Sequence, residues 1–577
     1  MLNETFRFGS ARWPRLTEIE NAGLLPPKPD SPPLGFIQDR PLCVSGDSPL
    51  ITVAGSGAGK ARDVLVPLIC SAPSDMNMLI LDLKGELGAV SMGDLVRQGK
   101  AGYFINAFGM HGLPQHRFNP LDVLRAGSVT RHQDAKVCAE ALIKSSGGGH
   151  SDYFEGRARE LVEKGAKYLV LRQGQVTLPE LYRLLCLIDG NPEGWQRTAE
   201  DMMRCGLDDV RQVVGEMLYK QQSAPGEFSA IMGTLHKNLN FVTDPAIERT
   251  LSGGDFSLEV LADPALRCHI HIIVPAEYVG VLSSFLRLTF AVATLYKQQA
   301  PQAPPLYLLC DESAQLGHFE ALERCVTYGR GAKIRTHTVW QDLGQISRHY
   351  GPNGLQTFLG SSQVRQFFSI RDIQSARLIS EMLGTQTLEY NDTLQQERAR
   401  RAKLQALNAM MFGGADPLLG ATEVAHHARA QRHRTKQARA LMTPSEVMAL
   451  PEDQQLLFIS GVNCPQILAD RRAYFRQPAL AGRYLANPYH EEGFVQIATR
   501  RGTRRARIIT EACPREIAHF PQYAAGPGTW QYVEGYRPDL SRHRARVAGR
   551  AGSSPLGRPQ RLPYQTPCLQ LDYQSEE

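Results

Sequence analysis

The sequence predicts an α/β fold: a mainly parallel sheet interrupted by an all-α insertion. Three observations carry this. Short, nearly all-apolar runs recur along the chain, as strands buried on both faces of a parallel sheet require. A glycine-rich octet, Ala54-Gly55-Ser56-Gly57-Ala58-Gly59-Lys60-Ala61, stands between one such run and a helix-like segment. Between about Ala126 and Asp255 the strand-like runs disappear, and apolar residues recur at three- and four-residue spacing.

Taken in order, residues 1–34 read as a leader or linker, because Pro26, Pro27, Pro29, Pro32 and Pro33 break any helix or central strand. Strands are expected at Leu50–Val53, Met78–Leu81 and Tyr103–Ile105. Helices are expected at Asp134–Lys144, Phe154–Arg172, Leu178–Leu187, Glu193–Met203 and Leu207–Lys220. Such a stretch is too long for one crossover, so it reads as an inserted domain. Strands resume at Cys268–Val274, Leu306–Cys310, Ile334–Val339, Gln363–Ser369 and Gln455–Ile459. Residues 391–440 read as polar and mobile, and from Gln477 onward the chain turns Arg-, Pro- and Gly-rich.

With 577 residues, 42% hydrophobic and 21% charged, the composition excludes a collagen-like chain, a coiled-coil rod and wholesale disorder. No stretch approaches the roughly 18–20 uninterrupted apolar residues of a membrane helix. The N-terminus lacks the apolar core of a secretory signal, so a cytoplasmic location is the expectation. Eleven scattered cysteines without a C-x-x-C pair argue against structural zinc and a disulfide framework. Cys43, Cys70, Cys186 and Cys310 read as small buried apolar residues.

The octet has the chemistry of a phosphate cradle. Small residues let backbone N–H groups turn inward around oxygens, and a helix N-terminus adds partial positive charge. Gly55, Ser56, Gly57, Ala58, Gly59, Lys60, Ala61 and Arg62 are the expected nucleotide contacts, with Lys60 as a point charge on the β and γ phosphates. Two positions depart from the usual pattern: Ala54 replaces the first glycine, and Ala61 replaces a Ser/Thr whose hydroxyl helps hold Mg²⁺. Downstream, the apolar run Leu306–Cys310 ends in Asp311 and Glu312. The first carboxylate suits a metal held through water, the second an attacking water. By itself the pair could be an N-cap; together with the loop it favours an ATPase. Asp82, ending another apolar run, suggests a second wall of the same cleft.

These motifs, in this order, resemble the type IV coupling proteins of bacterial conjugation and type IV secretion, the TraG/VirD4 family. The resemblance covers about residues 45–475. It rests on AGSGAGKARDVLVPLI, MLILDLKGEL, FNPLDVL, DYFEGRARELV, LHKNLNFVTDPAIERTLSGGDFSLEVL and HIHIIVPAEYVGVLSSFLRL. Its most specific stretch is YLLCDESAQLGHFEALERCVTYGRGAKIRTHTVWQDLGQISRHYG, followed by SARLISEMLGTQTL and LMTPSEVMALPEDQQLLFISG. The resemblance implies a RecA-like P-loop NTPase domain, a homo-hexamer, and ATP with Mg²⁺ as cofactors. Lys60, Asp311 and Glu312 then match the phosphate, metal and catalytic positions. Gln341 matches a glutamine that senses the γ-phosphate, and Arg330 an arginine that reaches a neighbouring subunit's nucleotide. The implied layout is a Pro-rich segment (1–34), a nucleotide-binding domain in two parts (35–125 and 256–476), an all-α insert (126–255) and a basic extension (477–577). Family members begin with transmembrane helices and this sequence shows none there, so membrane contact is expected only through partners, at most as peripheral association with the inner membrane.

Charge is uneven. Between Arg500 and Arg561 thirteen Arg face four acids, a balance of +9; between Arg398 and Arg439 nine Lys/Arg face two acids, +7. The whole chain carries +6, which leaves −10 for the remainder. Phe520, Tyr523, Trp530, Tyr532 and Tyr536 interleave with the C-terminal arginines, a pattern that suits phosphate contact and base stacking. The function expected is therefore an ATP-driven coupling protein delivering DNA, single- or double-stranded, or a DNA–relaxase complex, to the components of a type IV secretion channel. The rival expectations are a non-catalytic cargo adaptor, with Ala54 and Ala61 marking a weak site, and a motor for protein effectors only.

Overall fold

The structure is a computed structural model that describes residues 6–26, 31–145, 149–390, 392–414, 416–432, 434–490, 493–541 and 543. Its centre is an eleven-stranded sheet. The strands are β1 (Pro33–Ile37), β2 (Arg40–Cys43), β3 (Leu50–Ala54), β4 (Asn77–Asp82), β5 (Ala101–Ile105), β6 (Cys268–Ile273), β7 (Leu306–Cys310), β8 (Ile334–Trp340) and β9 (Val364–Phe368). A ribbon of β10 (Thr385–Tyr390) and β11 (Thr435–Ala440) stands apart, β12 (Gln454–Ile459) and β13 (Ile467–Asp470) rejoin the sheet, and β14 (Phe494–Thr499), β15 (Gly502–Ala512) and β16 (Thr529–Val533) form a third. The order in the large sheet is β2-β1-β13-β12-β9-β3-β8-β7-β4-β6-β5. From β9 to β5 every pairing is parallel, and from β9 to β2 every pairing is antiparallel. All eight expected strands are present. The antiparallel edge made with β1, β2 and β13 was not legible, because Pro33 and Pro41 mask β1 and β2 as loop and β13 is only four residues long.

Alternation splits the core into two layers. Leu50 and Ala54 face one apolar cluster, and Ile51 and Val53 another; likewise Met78 and Ile80 oppose Leu79 and Leu81. Every residue of β3, β4, β6, β7 and β8 is buried, which is why these runs lack polar alternation. In the middle of the sheet, buried polar residues pair across strands. A hydrogen-bonded ladder crosses six strands: Tyr307 Oη to His337 Nδ1 (3.0 Å), His337 Nε2 to Thr52 Oγ1 (2.8 Å), Thr52 Oγ1 to Gln366 Oε1 (2.7 Å), Gln366 to Gln455, and Gln455 Nε2 to the Leu34 carbonyl (2.7 Å). Burial pushes the His337 pKa down to about 3, so the ring is neutral and accepts on one nitrogen while donating from the other.

α1 (Leu16–Asn21) precedes the sheet, and α2 (Val66–Cys70) and α3 (Glu86–Gln98) follow β3 and β4. Between the adjacent parallel strands β5 and β6 the chain runs through helices: α4 (Arg131–Leu142), α5 (Gly149–Gln173), α6 (Leu178–Gly190), α7 (Pro192–Met203), α8 (Asp208–Ser223), α9 (Pro225–Leu239) and α10 (Pro245–Leu251). Local signals set their starts: Thr177 and Glu180 form a capping box, and Asn191 and Asp244 cap α7 and α10 ahead of prolines. After β6 come α11 (Val279–Gln299), α12 (Glu320–Tyr328), α13 (Leu343–Ser361) and α14 (Ile373–Leu383). The helical run Ala276–Gln299 is long and apolar enough to cross a membrane, but 72% of its apolar window is buried inside the fold. Its Arg287 and Lys297 reach the carbonyls of Ala141 and Ala303, each at 3.0 Å, as charges in a core helix must.

Two expectations need correction, the stacking role of the C-terminal aromatics and the burial of Cys186, and two segments gain definition. Residues 391–440, read as polar and mobile, contain two helices: α15 (Thr393–Phe412) and α16 (Pro417–Arg432) pack against each other beyond the ribbon, with Ala399, Ala406 and Gly420 buried. Small residues at the contact let two polar helices pair without the apolar stripe that the sequence reading sought. The extension after Gln477 joins the core: α17 (Pro444–Met448) and β12 lead into a segment whose Leu480, Tyr484, Val495, Ile497 and Val533 complete one apolar cluster. In the same extension α18 (Pro521–Ala524) sits beside β5, and Phe520, Tyr523 and Trp530 pack on Val96. These three aromatics are therefore core residues and offer no stacking face to a base. Cys43, Cys70 and Cys310 are buried as expected, but Cys186 is half-buried. Residues 1–5 and 27–30 of the Pro-rich leader, and six of the thirteen C-terminal arginines (Arg542 and Arg544 to Arg561), lie outside the described residues.

Candidate functional site

The glycine loop leaves β3 at its C-terminal end, between β8 and β9. The Gly55 N–H donates to the Ser369 carbonyl (3.3 Å), and a Cβ at Gly55 would stand 2.9 Å from that oxygen, so no larger residue fits. Gly57 takes φ +72° and faces open space where a Cβ would be. The result is a concave, side-chain-free stretch of backbone. Lys60 folds back over it, its Nζ 3.2 Å from the Ala54 carbonyl. Ala61–Leu65 form a π-helical turn that runs into α2, accommodating Pro67, which has no N–H to give.

The acidic wall comes from β7 and β4. Asp311 follows β7 and Asp82 ends β4, and the two strands pair in parallel with Leu81 opposite Cys310. Asp82 is buried and accepts the Gly88 N–H (2.8 Å) in the first turn of α3. Burial raises Asp82 to about 7 and Asp311 to about 6; for Asp311 the Lys60 ammonium partly offsets the loss of water. Glu312 is held in a left-handed conformation, φ 72° and ψ 58°. Such backbone strain persists only where surroundings enforce it. Here Ser313 enforces it, accepting the Val339 N–H (3.1 Å) while donating to the Cys310 carbonyl (3.1 Å). Gln341, directly after β8, donates its Nε2 to Glu312 Oε1.

The structure thus brings Lys60, Asp311, Glu312, Gln341 and the loop from Gly55 to Ala61 to one end of adjacent strands. Arg62 points outward and forks on Asp63 (2.6 and 3.0 Å). Arg330 is not brought there. It precedes the N-terminal end of β8, 71% exposed and 2.9 Å from Asp47, whereas the loop follows the C-terminal end of the neighbouring parallel strand. Within one chain these two sit at opposite ends of the sheet.

The sequence reading missed Arg471. Its side chain is 1% exposed and crosses from the end of β13 to the loop. It donates to the Ala58 carbonyl (2.9 Å), Asp63 Oδ2 (2.9 Å) and the carbonyls of Gln454 and Glu452, with its guanidinium 3.8 Å over the Phe368 ring. About 410 residues separate it from the loop, and no spacing marks it. The far wall was also missed: Asn487 Nδ2 donates to Glu86 Oε1 (2.6 Å), and Tyr489 Oη to the Lys84 carbonyl (3.0 Å).

This donor set fits a polyphosphate with a divalent cation. The loop supplies N–H groups and open space, Lys60 a positive charge, and Asp311 a half-buried carboxylate. Ala61 contributes no oxygen. Among the described residues no three His, Cys, Asp or Glu stand together as a direct metal cage. A cation here would draw its other ligands from phosphate and water.

Comparison with known proteins places these features in context. The family model described as Type IV secretory system Conjugative DNA transfer matches residues 28–494. Protein VirD4 of Rhizobium radiobacter is 23% identical over 468 residues, covering 78% of this chain and 62% of its own length. The conjugal transfer protein TraG of Escherichia coli is 22% identical over 540 residues, covering 85% and 80%. The chain spans 57–62% of the length of the three VirD4 relatives from Rhizobium and Agrobacterium. Among solved structures, the bacterial conjugative coupling protein TrwBdeltaN70 superposes with a TM-score of 0.55 at 16% identity, covering 81% of this chain and 97% of that one. TrwB in complex with ADP and Mg²⁺ gives 0.54 at 16%, covering 81% and 96%. At this identity the likeness establishes the fold, an α/β architecture with a large mostly parallel sheet.

Proposed function

The chain belongs to the type IV secretory system conjugative DNA transfer family, and from that premise we propose that it is an ATP-driven coupling protein that moves DNA, or a DNA–relaxase complex, into a type IV secretion channel. One observation carries the ATPase part: Glu312, strained at a strand end beside Asp311 and Lys60, is held by Gln341 from the next strand. A turn that merely capped a helix would need neither the strain nor the clamp. The relatives support the ligand, since TrwB has been solved with ADP and Mg²⁺ and with a non-hydrolysable ATP analogue.

ATP with Mg²⁺, when bound, supplies the phosphoanhydride whose hydrolysis drives movement. The chain's own residues do the rest. Loop N–H groups between Gly55 and Lys60 that the loop itself does not use bind phosphate oxygens, and Lys60 neutralises them. Asp311 is the residue that would hold the cation, with no side-chain oxygen from Ala61 to help. Glu312 accepts the proton of an attacking water, and Gln341 keeps its carboxylate aimed. Arg330 serves a nucleotide in the next copy of the chain, which makes a homo-hexamer part of the proposal. On the β14–β15 hairpin Arg500, Arg501, Arg504 and Arg505 suit nucleic-acid phosphates, and all four are exposed. Relaxase and channel components are the proposed partners, at the cytoplasmic face of the inner membrane.

The test is DNA-stimulated ATP turnover by the purified chain. Lys60→Ala and Glu312→Gln should each lower turnover at least about a hundredfold, with Glu312→Gln still binding nucleotide. Unchanged turnover in either variant would refute the site. No turnover in the parent chain would favour the adaptor reading. Replacing the four hairpin arginines by Gln should weaken DNA binding and flatten its salt dependence; no change would favour a motor for protein cargo.

A further inference from the structure

We propose that the helical hairpin α15–α16 is a membrane-contacting element, its apolar tip entering an anionic bilayer and its basic stem lying at the headgroups. This departs from the expectation of membrane contact only through partners, and it does not depend on the ATPase assignment. The hairpin is carried at the end of the β10–β11 ribbon, and its two helices pack on each other. At the turn between them four large apolar side chains face solvent: Met411 is 64% exposed, Phe412 83%, Leu418 79% and Leu419 64%. Single exposed leucines are ordinary, but a cluster of four at one protruding tip marks a contact surface.

Charge selects the occupant. Behind the tip α15 carries a positive belt, Arg398, Arg400, Arg401 and Lys403 against Glu397, and α16 carries Arg429 against Glu423, while Arg434 and Arg439 at the ribbon face Glu389 (4.0 Å) and Glu446 (2.5 Å). The acid nearest the tip, Asp416, caps α16 by accepting the Leu418 N–H (2.9 Å). Nucleic acid would engage the belt but has no use for Met, Phe and Leu. An apolar protein pocket would take the tip but gains nothing from the belt. An anionic lipid surface uses both, because acyl chains take the apolar tip and headgroups the cations. The N-terminal segment braces the ribbon: Ala11 N donates to the Thr385 carbonyl (3.0 Å), and Thr387 Oγ1 donates to the Gly9 carbonyl (3.0 Å). The stem is thereby a braced lever rather than a loose loop.

The experiment is flotation of the full chain with vesicles of phosphatidylglycerol and phosphatidylcholine in equal parts, against vesicles of phosphatidylcholine alone. The parent chain should float with the anionic vesicles, less so in high salt. The variant Phe412→Ser/Leu418→Ser/Leu419→Ser keeps every charge and should lose about tenfold or more of that binding, with ATP turnover in the absence of vesicles unchanged. A Phe412→Trp probe should shift its emission to the blue on anionic vesicles and be quenched by brominated acyl chains. Three outcomes overturn the proposal: equal flotation of the tip variant, which would assign lipid binding to other basic segments; an emission of the Phe412→Trp probe unmoved by vesicles; or a change in oligomeric state caused by the tip substitutions, which would make the tip a contact between copies.

Discussion

Arg471 holds the phosphate loop from behind. Its guanidinium spends its donors on one carboxylate and three carbonyls, two of them in the short link before β12 and at its first residue, and stacks on Phe368. Lysine offers a point charge without the planar fork, so it cannot reproduce this set. With Arg471 removed, Asp63 stays buried with only Arg62 as partner, and Ala58 loses its anchor. Arg471→Met should therefore raise the KM for ATP about tenfold or more while kcat changes less, and lower the thermal midpoint; Arg471→Lys should recover part of the stability and little of the affinity. Equal effects of both variants on kcat alone would contradict a positioning role. The proposed phosphate-loop residues were legible because phosphate chemistry imposes a local pattern. Arg471 was not, because its role arises from a contact between distant segments, and an Arg-Arg pair after a strand carries no signature.

At the scale of elements, the buried ladder explains how one sheet tolerates Thr52, His337, Gln366 and Gln455 in its interior. Each is satisfied by its neighbours on adjacent strands, so the ladder also fixes strand order and register. His337→Leu would leave the buried Tyr307 phenol without its partner, while Thr52 keeps its bond to Gln366, costing about 1–3 kcal/mol near neutral pH. The pH sign follows from linkage. The native ring stays neutral down to about 3, whereas an unfolded histidine takes a proton near 6.5, so the unfolded state binds more protons between these values. His337's contribution to stability is thus full above about 6.5 and falls as pH drops through that value. The stability gap between parent and His337→Leu should shrink on acidification, as urea unfolding at several pH values would measure; a constant gap would refute the neutral-ring ladder. Central strands were legible from their unbroken apolar runs. The α15–α16 pair was not, because helices that pair with Ala399, Ala406 and Gly420 buried show no apolar stripe.

Across the whole molecule, the placement of Arg330 ties chemistry to assembly. It stands at the opposite end of the sheet from Lys60, so within one chain it does not reach the loop, and the proposed role is toward another copy. Arg330→Ala should bind nucleotide normally yet turn over poorly. Mixing it with Lys60→Ala should restore a fraction of turnover, because some interfaces then join an intact loop to an intact arginine. No recovery on mixing, with mixed assembly verified, would rule out the role in trans. The sequence by itself determined the sheet's central strands, the glycine loop after β3, the acidic strand end and the helical run between β5 and β6, because each is written in local periodicity or a contiguous motif. Only the tertiary structure decided that the C-terminal aromatics are core, that Arg471 supports the loop, that Gln341 clamps Glu312 and that the basic insert is a hairpin with an apolar tip. Those outcomes depend on which distant surfaces meet and exclude water, and the spacing of residues along a chain does not encode that.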